Sequence, residues 1–536
     1  MAEGCSCGCT DAALTVKAQD DLFVGGSTAR KITEDIYWVG GSDKRLALFE
    51  NHYPLERGVS YNSYIVADEK VALIDTADKA VAGQFFENVD AVLAGRSVDY
   101  VIVNHMEPDH SYALGQVLAR FPQAKVLCTP LAAKFIGQFF SAEAKARCIT
   151  VLEGDTVELG KHTLSFIEAP WVHWPEVMMT YDALSGTLFS ADAFGTFGAL
   201  DGNIYADQVN FAEEWLDDAR RYYCNIVGKY GPYVQDVLKK AADLQLQRVC
   251  PAHGPIWRKD LGWYINKYNE WSAYEPEDKA VAIFCASIYG GTENAANILA
   301  SKLSADGVRD VKVFDVSKTD ASYLVAEAFR CSHLVFASVT YNDGIFTKMR
   351  DLLEDLADHH MRNRHVSFVQ NGTWHAHSGE LMRNLVADKM PGMTMTGDIV
   401  TVKSAVNECA IKQLDALADA IAASLKGDET HTTKLSEEAV DTVSGATAHA
   451  PHAPATPEPA PAPSSAVRPD GTIDPSLLSE ADKIKLVMGL PLGPLGGDGT
   501  PEKPTPKYVA PVEEKREEAK VDAISAATSW FPTMHH

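Results

Sequence analysis

The sequence predicts an α/β protein in two halves: a sheet sandwich, then a doubly wound parallel sheet, then a mostly disordered tail. Three observations carry this. Short β-branched runs open the chain at close spacing and then alternate with helical stretches. From residue 278 a second series of strand–turn–helix units begins, its strands leading into Gly- and hydroxyl-rich loops. From residue 427 the composition shifts to Pro, Ala and Gly, with little apolar material for a core. The expected divisions are therefore 1–30 (a Cys-containing segment), 31–265, 278–426 and 427–536.

A chain of 536 residues is too long for one core. The net charge of -25 argues against a nucleic-acid partner, because phosphate binding needs a basic face. No apolar run approaches the length of a membrane span, and no basic segment followed by an apolar stretch opens the chain. A cytoplasmic protein is expected. Cys5, Cys7 and Cys9 form a Cys-x-Cys-x-Cys without a fourth partner, read as part of a disordered terminus. The other cysteines are scattered in apolar surroundings, which fits a reducing compartment.

Residues 36–39, 64–66 and 71–74 read as strands of a largely antiparallel sheet, the last ending at Asp75. A helix is expected over 80–94, a buried strand over 100–103 and a helix over 111–121 with Ser111 as N-cap. Between them lies His105-Met-Glu-Pro-Asp-His110, with four metal-ligating types in six positions. In an extended loop His105, Glu107 and Asp109 alternate onto one side, leaving His110 for a second ion. Two imidazoles with two carboxylates form a harder donor set than zinc usually takes; it suits iron or manganese, and carboxylates can bridge. The competing reading is a polar loop that caps the next helix. After a strand over 125–128 and a helix over 131–140, three more candidates follow strand ends: His173, Asp192 and His253. Each alone is an ordinary strand-end residue. Together they gather along one sandwich edge, and seven donors suffice for two metals roughly 3.5–4 Å apart.

In the second half, residues 280–286 read as a buried parallel strand. It runs into Ser287-Ile288-Tyr289-Gly290-Gly291-Thr292 and a helix over 293–303, an anion cradle at a helix N-terminus. Neither a Walker loop nor the Gly-x-Gly-x-x-Gly fingerprint is present. Strands over 311–314, 333–338 and 366–369 follow. Their loops carry Thr340, Tyr341, Asn342 and Gly344, then Asn371, Gly372, Thr373 and Trp374. A phosphate turn beside Tyr341 and Trp374 suits a flat ring stacked over the crevice.

These residues carry a resemblance. Strand-His-x-x-x-Asp-His with a distant His, Asp and His resembles the metallo-β-lactamase fold, an αββα sandwich. Hydrolases of that fold usually have His where this chain has Glu107. The form His-x-Glu-x-Asp-His, with His-Trp-Pro and Ser-Ala-Asp, resembles the flavodiiron proteins, as do Ile36-Tyr-Trp-Val-Gly40 and Gly58-Val-Ser-Tyr-Asn-Ser-Tyr64. The second half resembles a flavodoxin with FMN, though Gly-Gly replaces the common Gly-Asn and the third loop reads Asn-Gly-Thr-Trp. The resemblance implies that His105, Glu107 and His173 hold one iron, that Asp109, His110 and His253 hold the other, and that Asp192 bridges. It further implies reduction of O2 to water and/or of NO to N2O. FMN would pass the electrons, and a head-to-tail homodimer is implied. The tail contains no Cys, hence no rubredoxin module, so a separate rubredoxin-like donor is expected.

Two other readings compete. One is a binuclear metal hydrolase of the lactamase fold fused to a flavin electron-transfer module; Glu107 and the flavodoxin-like half oppose it. The other is a non-catalytic electron-transfer or gas-sensing protein; the complete donor set opposes it. In the tail, short helices are expected over 479–488 and 513–520. Val440-Asp-Thr-Val-Ser-Gly-Ala-Thr447 is echoed by Val521-Asp-Ala-Ile-Ser-Ala-Ala-Thr528. The first resembles the acceptor at which a flavin transferase links FMN to Thr, here Thr447. Thr528 is the poorer match, with Ala526 replacing Gly. The folded domain that normally precedes the motif is absent, which favours a plain small-residue repeat.

Overall fold

The computed structural model describes Val24 and residues 26–435. Cys5, Cys7 and Cys9, the two tail helices, and the repeats with Thr447 and Thr528 lie outside the described residues.

The first half contains two main sheets. A seven-stranded sheet runs Arg30–Lys31, Ile36–Trp38, Tyr64–Ala67, Val71–Ile74, Tyr100–Ile102, Lys125–Cys128, Cys148–Thr150. Its first four strands pair antiparallel and its last four parallel. The change follows the connections: a tight turn joins 67 to 71, whereas helices such as Ala82–Leu93 and Pro130–Phe139 return the chain between parallel neighbours. Val71–Ile74 is buried at every position, as a strand covered on both faces must be. The second sheet runs Thr156–Glu158, Thr163–Glu168, Met178–Asp182, Thr187–Phe189, Arg248–Cys250, with only the last pair parallel.

One helix start differs from expectation. A helical turn, Pro108–Ser111, precedes the helix Leu114–Arg120. Pro108 supplies the fixed φ that suits a first helical position, so the chain coils three residues early. Ser111 caps nothing; its hydroxyl donates to the Met106 carbonyl at 3.0 Å. Asp109 and His110 therefore project from a helical turn rather than an extended loop.

The second half is a parallel sheet in the spatial order Val311–Asp315, Asp278–Ala286, Cys331–Tyr341, His365–Asn371. Thr394–Thr396 and Val400–Val402 both follow beside His365–Asn371. Taken in chain order this is the flavodoxin arrangement 2-1-3-4-5. Phe314, Phe284, Phe336 and Phe368 stand in register across four strands, with ring centroids 5.9, 5.5 and 6.2 Å apart. That face joins the main core, while Val281, Ile283 and Val335 on the other face pack with helices Gly291–Ala305 and Glu408–Leu425. Two elements overrun the expected divisions: Leu261–Ser272 is one helix across residue 265, and Thr432–Lys434 pairs antiparallel with Thr394–Thr396 beyond residue 426.

The segment between the halves is fastened by buried charge. Arg364, 1% exposed, donates to the carbonyls of Tyr274, Ala328 and Phe329. Arg220 grips Glu277 through Nε–Oε2 at 2.5 Å and Nη2–Oε1 at 3.2 Å, and the Trp271 indole donates to the same carboxylate at 3.0 Å. Burial opposes the Glu277 charge, but Arg220, Trp271 and Lys267 outweigh it and hold the carboxyl at about 2. A lowered folded pKa stabilises above the unfolded value and is lost as pH falls through the folded one. Glu277→Gln should therefore cost about 3 kcal/mol at neutral pH. The gap from wild type should close between pH 4.5 and about 2, as chemical denaturation of both proteins across pH would show.

Candidate functional site

Two asparagines stitch the sheets together at the edge where the candidate donors emerge. Asn104 follows the strand Tyr100–Ile102; its carbonyl accepts from Met178 N at 3.0 Å and its side chain from Thr180 Oγ1 at 2.7 Å. Asn62 donates through Nδ2 to the carbonyls of Pro251 and Gly254 at 2.9 and 2.8 Å, so both ends of the His253 turn are held. Gly254 makes that turn possible: its φ is +75°, and a Cβ there would lie 2.1 Å from Thr196 Cγ2.

All seven predicted donors meet at this edge, in two groups whose ligand atoms lie within 4.8 Å of one another. In the first, Nε2 of His105 and of His173 lie 3.3 and 3.0 Å from Glu107 Oε2. In the second, Nε2 of His110 and of His253 lie 3.3 and 3.2 Å from Asp109 Oδ2. Asp192 stands between. Its Oδ2 lies 3.1 and 3.3 Å from His105 and His173, its Oδ1 3.0 and 3.3 Å from His110 and His253. Donor atoms bound at about 2.0–2.2 Å to one ion sit roughly 3 Å apart, so both groups have the spacing of a metal's ligand shell. Both Asp109 oxygens, Asp192 Oδ2 and His253 Nε2 are enclosed without an aligned hydrogen-bond partner. Three of these orphaned atoms belong to the second group and Asp192 Oδ2 faces the first, and the donor set fits two ions sharing Asp192.

The pocket demands positive charge. Burial disfavours protonated imidazole, yet the surrounding carboxylates prevail: His173 is pushed up to about 9 by Asp192 and Glu107, His253 to about 10 by Asp109 and Asp192. His105 is likewise held well above its ordinary value, with Glu176 the strongest of the carboxylates opposing its burial. Asp192 stays well below the usual carboxylate range despite complete burial, because His110, His105 and His173 face it. Protons or metal cations can supply that charge, and each bound ion must displace protons from the imidazoles.

The second site lies at the carboxyl ends of three adjacent parallel strands, where all three predicted loops come together. Gly291 opens the helix Gly291–Ala305 without a side-chain cap, leaving its first N–H groups free for an anion. A Cβ on Gly291 would lie 2.2 Å from the Ser404 carbonyl, so the turn must be bare there. Ser287 Oγ accepts from Gly290 N at 3.1 Å and shapes the cradle. Asn371 Nδ2 lies 3.3 Å from Thr292 Oγ1 and links the first and third loops. Tyr289 and Trp374 are 98% and 94% exposed, with Ile288 and Tyr341 partly so, an apolar rim that fits a flat ring. The second loop is tighter than expected. Strand Cys331–Tyr341 continues to a two-residue turn, Asn342 (φ 49°) and Asp343 (φ 55°), and pairs back through Gly344–Ile345. Thr340 Oγ1 accepts from the N–H groups of His377 and Ser378, so it braces the third loop rather than offering itself to a ligand.

Sequence reasoning missed three participants. Glu176, 1% exposed, lies 2.8 Å from His105 Nδ1 and orients that ring. Its only signal was an acidic residue opening an apolar strand, Glu176-Val-Met-Met. The Ser60 carbonyl holds His253 Nδ1 at 2.7 Å, which no sequence pattern announces. Ser404 exchanges backbone hydrogen bonds with the Asn371 side chain at 3.0 and 3.2 Å; the β-branched run before it was the overlooked sign of a fifth strand.

Residues 59–254 match the model of the ODP family beta lactamase. The anaerobic nitric oxide reductase flavorubredoxin of Aeromonas hydrophila is 32% identical over 349 residues, 64% of this chain and 70% of that protein. Among solved structures, the rubredoxin oxygen:oxidoreductase of the anaerobe Desulfovibrio gigas aligns with a TM-score of 0.70 at 27% identity, covering 75% of this chain and 99% of that one. The flavodiiron protein of Giardia intestinalis has the same fold, with a TM-score of 0.68 at 24% identity over 75% of this chain and 98% of that one.

Glu176→Gln should leave the fold intact and lower the affinity for divalent metal by about 10–100-fold, measured by competition with a chromophoric chelator.

Proposed function

Because this chain belongs to the flavodiiron proteins, we propose that it reduces O2 to water and/or NO to N2O. In this reading His105, Glu107 and His173 hold one iron, Asp109, His110 and His253 the other, and FMN lies in the crevice of the second half. The carrying observation is Asp192, whose two oxygens are divided between the two imidazole pairs. When bound, two ferrous ions with reduced FMN would supply the four electrons that O2 needs, or the two that convert two NO to N2O.

The chain's own residues do the rest. Glu107, Asp109 and Asp192 set the charge of the pocket, and Glu176 and the Ser60 carbonyl fix two of the imidazoles. Phe49, Tyr61 and Tyr222 ring His253 at centroid distances of 5.5, 5.6 and 5.5 Å, and Trp174 packs edge-on to His105 at 5.3 Å. These aromatic rings pack directly against two of the candidate ligand imidazoles. In the crevice, Ser287 to Thr292 would seat the phosphate, and Tyr341 and Trp374 the ring, aided by Asn342, Gly344, Gly372 and Thr373.

A rubredoxin-like donor fits the names of two of the similar proteins, the nitric oxide reductase flavorubredoxin of Aeromonas hydrophila and the rubredoxin oxygen:oxidoreductase of Desulfovibrio gigas. We further infer a head-to-tail homodimer, in which Tyr289 and Trp374 would be covered, and a cytoplasmic location, supported by seven free cysteines among the described residues. No described helix is long and apolar enough to cross a membrane. The hydrolase alternative is disfavoured by Glu107 in the first ligand group.

Anaerobic purification should yield two irons and one FMN per chain, and reduced rubredoxin should support O2 or NO consumption. Asp192→Asn should lose iron and more than about 100-fold of that rate. Zinc with reductant-independent ester hydrolysis, or a chain without flavin, would overturn the reading.

A further inference from the structure

Asp343, His375 and His377 form a third group of metal-ligating side chains, remote in sequence from the seven donors above. Their ligand atoms all lie within 4.8 Å of one another. We propose that they bind one divalent cation of the zinc type at the rim of the crevice, stapling its second and third loops together.

The geometry is built by the backbone. Asp343 is the second residue of a two-residue hairpin turn, so paired strands fix the origin of its carboxylate. Gly372 allows the third loop to fold back closely: a Cβ there would lie 2.6 Å from the His375 carbonyl. His375 and His377 alternate onto one side, and their rings stack with centroids 4.0 Å apart at 19°. Asp343 Oδ1 lies 3.0 Å from His375 Nδ1 and 3.7 Å from His377 Nε2. Ligands around a tetrahedral ion with bonds of about 2.0–2.1 Å sit roughly 3.3 Å apart, between those two values. The remaining His377 nitrogen, Nδ1, is enclosed without a hydrogen-bond partner. Two imidazoles and one carboxylate suit zinc, and the exposure of Asp343 (77%) and His375 (60%) leaves the fourth position to water.

Such an ion would tie the hairpin that carries Tyr341 to the loop that carries Trp374. The consequence for the flavin rests on the function proposed above; the metal site itself does not. Binding a cation to both loops must restrain the two aromatics together and slow escape of a ring held between them.

The test uses the full chain loaded with iron and FMN, dialysed against micromolar free Zn2+ and analysed by mass spectrometry for both metals. Wild type should retain one more zinc per chain than His375→Ala/His377→Ala, with equal iron in both, and Asp343→Asn should bind more weakly. Zinc should slow FMN dissociation in wild type and not in the double variant. Equal zinc in wild type and double variant overturns the site. Extra zinc with unchanged FMN dissociation overturns the staple. A colourless chain that still shows the zinc difference separates a failure of the flavin reading from a failure of this one.

Discussion

Three candidate ligand carboxylates and four imidazoles share one buried pocket, with Glu176 behind His105, and the first half of this protein is arranged around balancing their charge. Asp192 is fully buried, and Glu107 and Asp109 are nearly so. A buried carboxylate without positive charge beside it is ruinously unstable. The neighbouring imidazoles can supply that charge as protons, which is why His173 and His253 hold theirs far into the alkaline range. Metal cations supply it more fully, because they also satisfy the enclosed atoms that no hydrogen bond reaches. The features nearby hold that arrangement in place: Asn62 and Asn104 lock the sheet edges, and Glu176 and the Ser60 carbonyl aim two rings.

Much of this was legible in the sequence because ligand types sit at strand ends, and strand ends are marked by β-branched runs. His105, His173, Asp192 and His253 announced themselves in that way. What could not be read depends on packing between distant elements. Glu176 matters only because the strand Met178–Asp182 is stitched to Asn104. Ser60 contributes a carbonyl, which every residue has. The early helical turn at Pro108 shows a local rule losing to another: Ser111 is a good cap, but proline at the first turn is as strong a signal and comes first.

The second half was legible for a different reason. Its central parallel strands, Asp278–Ala286, Cys331–Tyr341 and His365–Asn371, are buried over most of their length and read as largely apolar runs, and the turn after the first is rich in glycine. The depth of the second loop was not legible. Asn342 and Asp343 form a hairpin turn that extends the strand, which takes Thr340 out of the crevice and gives it to the third loop. The fifth strand was missed because it comes in two short pieces, Thr394–Thr396 and Val400–Val402. Bare glycines and exposed aromatics on one crevice, where most other aromatics among the described residues are buried, make sense once a flat anionic ligand occupies it.

The central claim is that Asp192 joins two ions. X-ray absorption at the iron edge on anaerobically reconstituted protein tests it most directly. The account predicts an iron–iron vector of roughly 3.5–4 Å in wild type that disappears in Asp192→Asn. Isolated iron with no metal neighbour in the wild-type protein would contradict it.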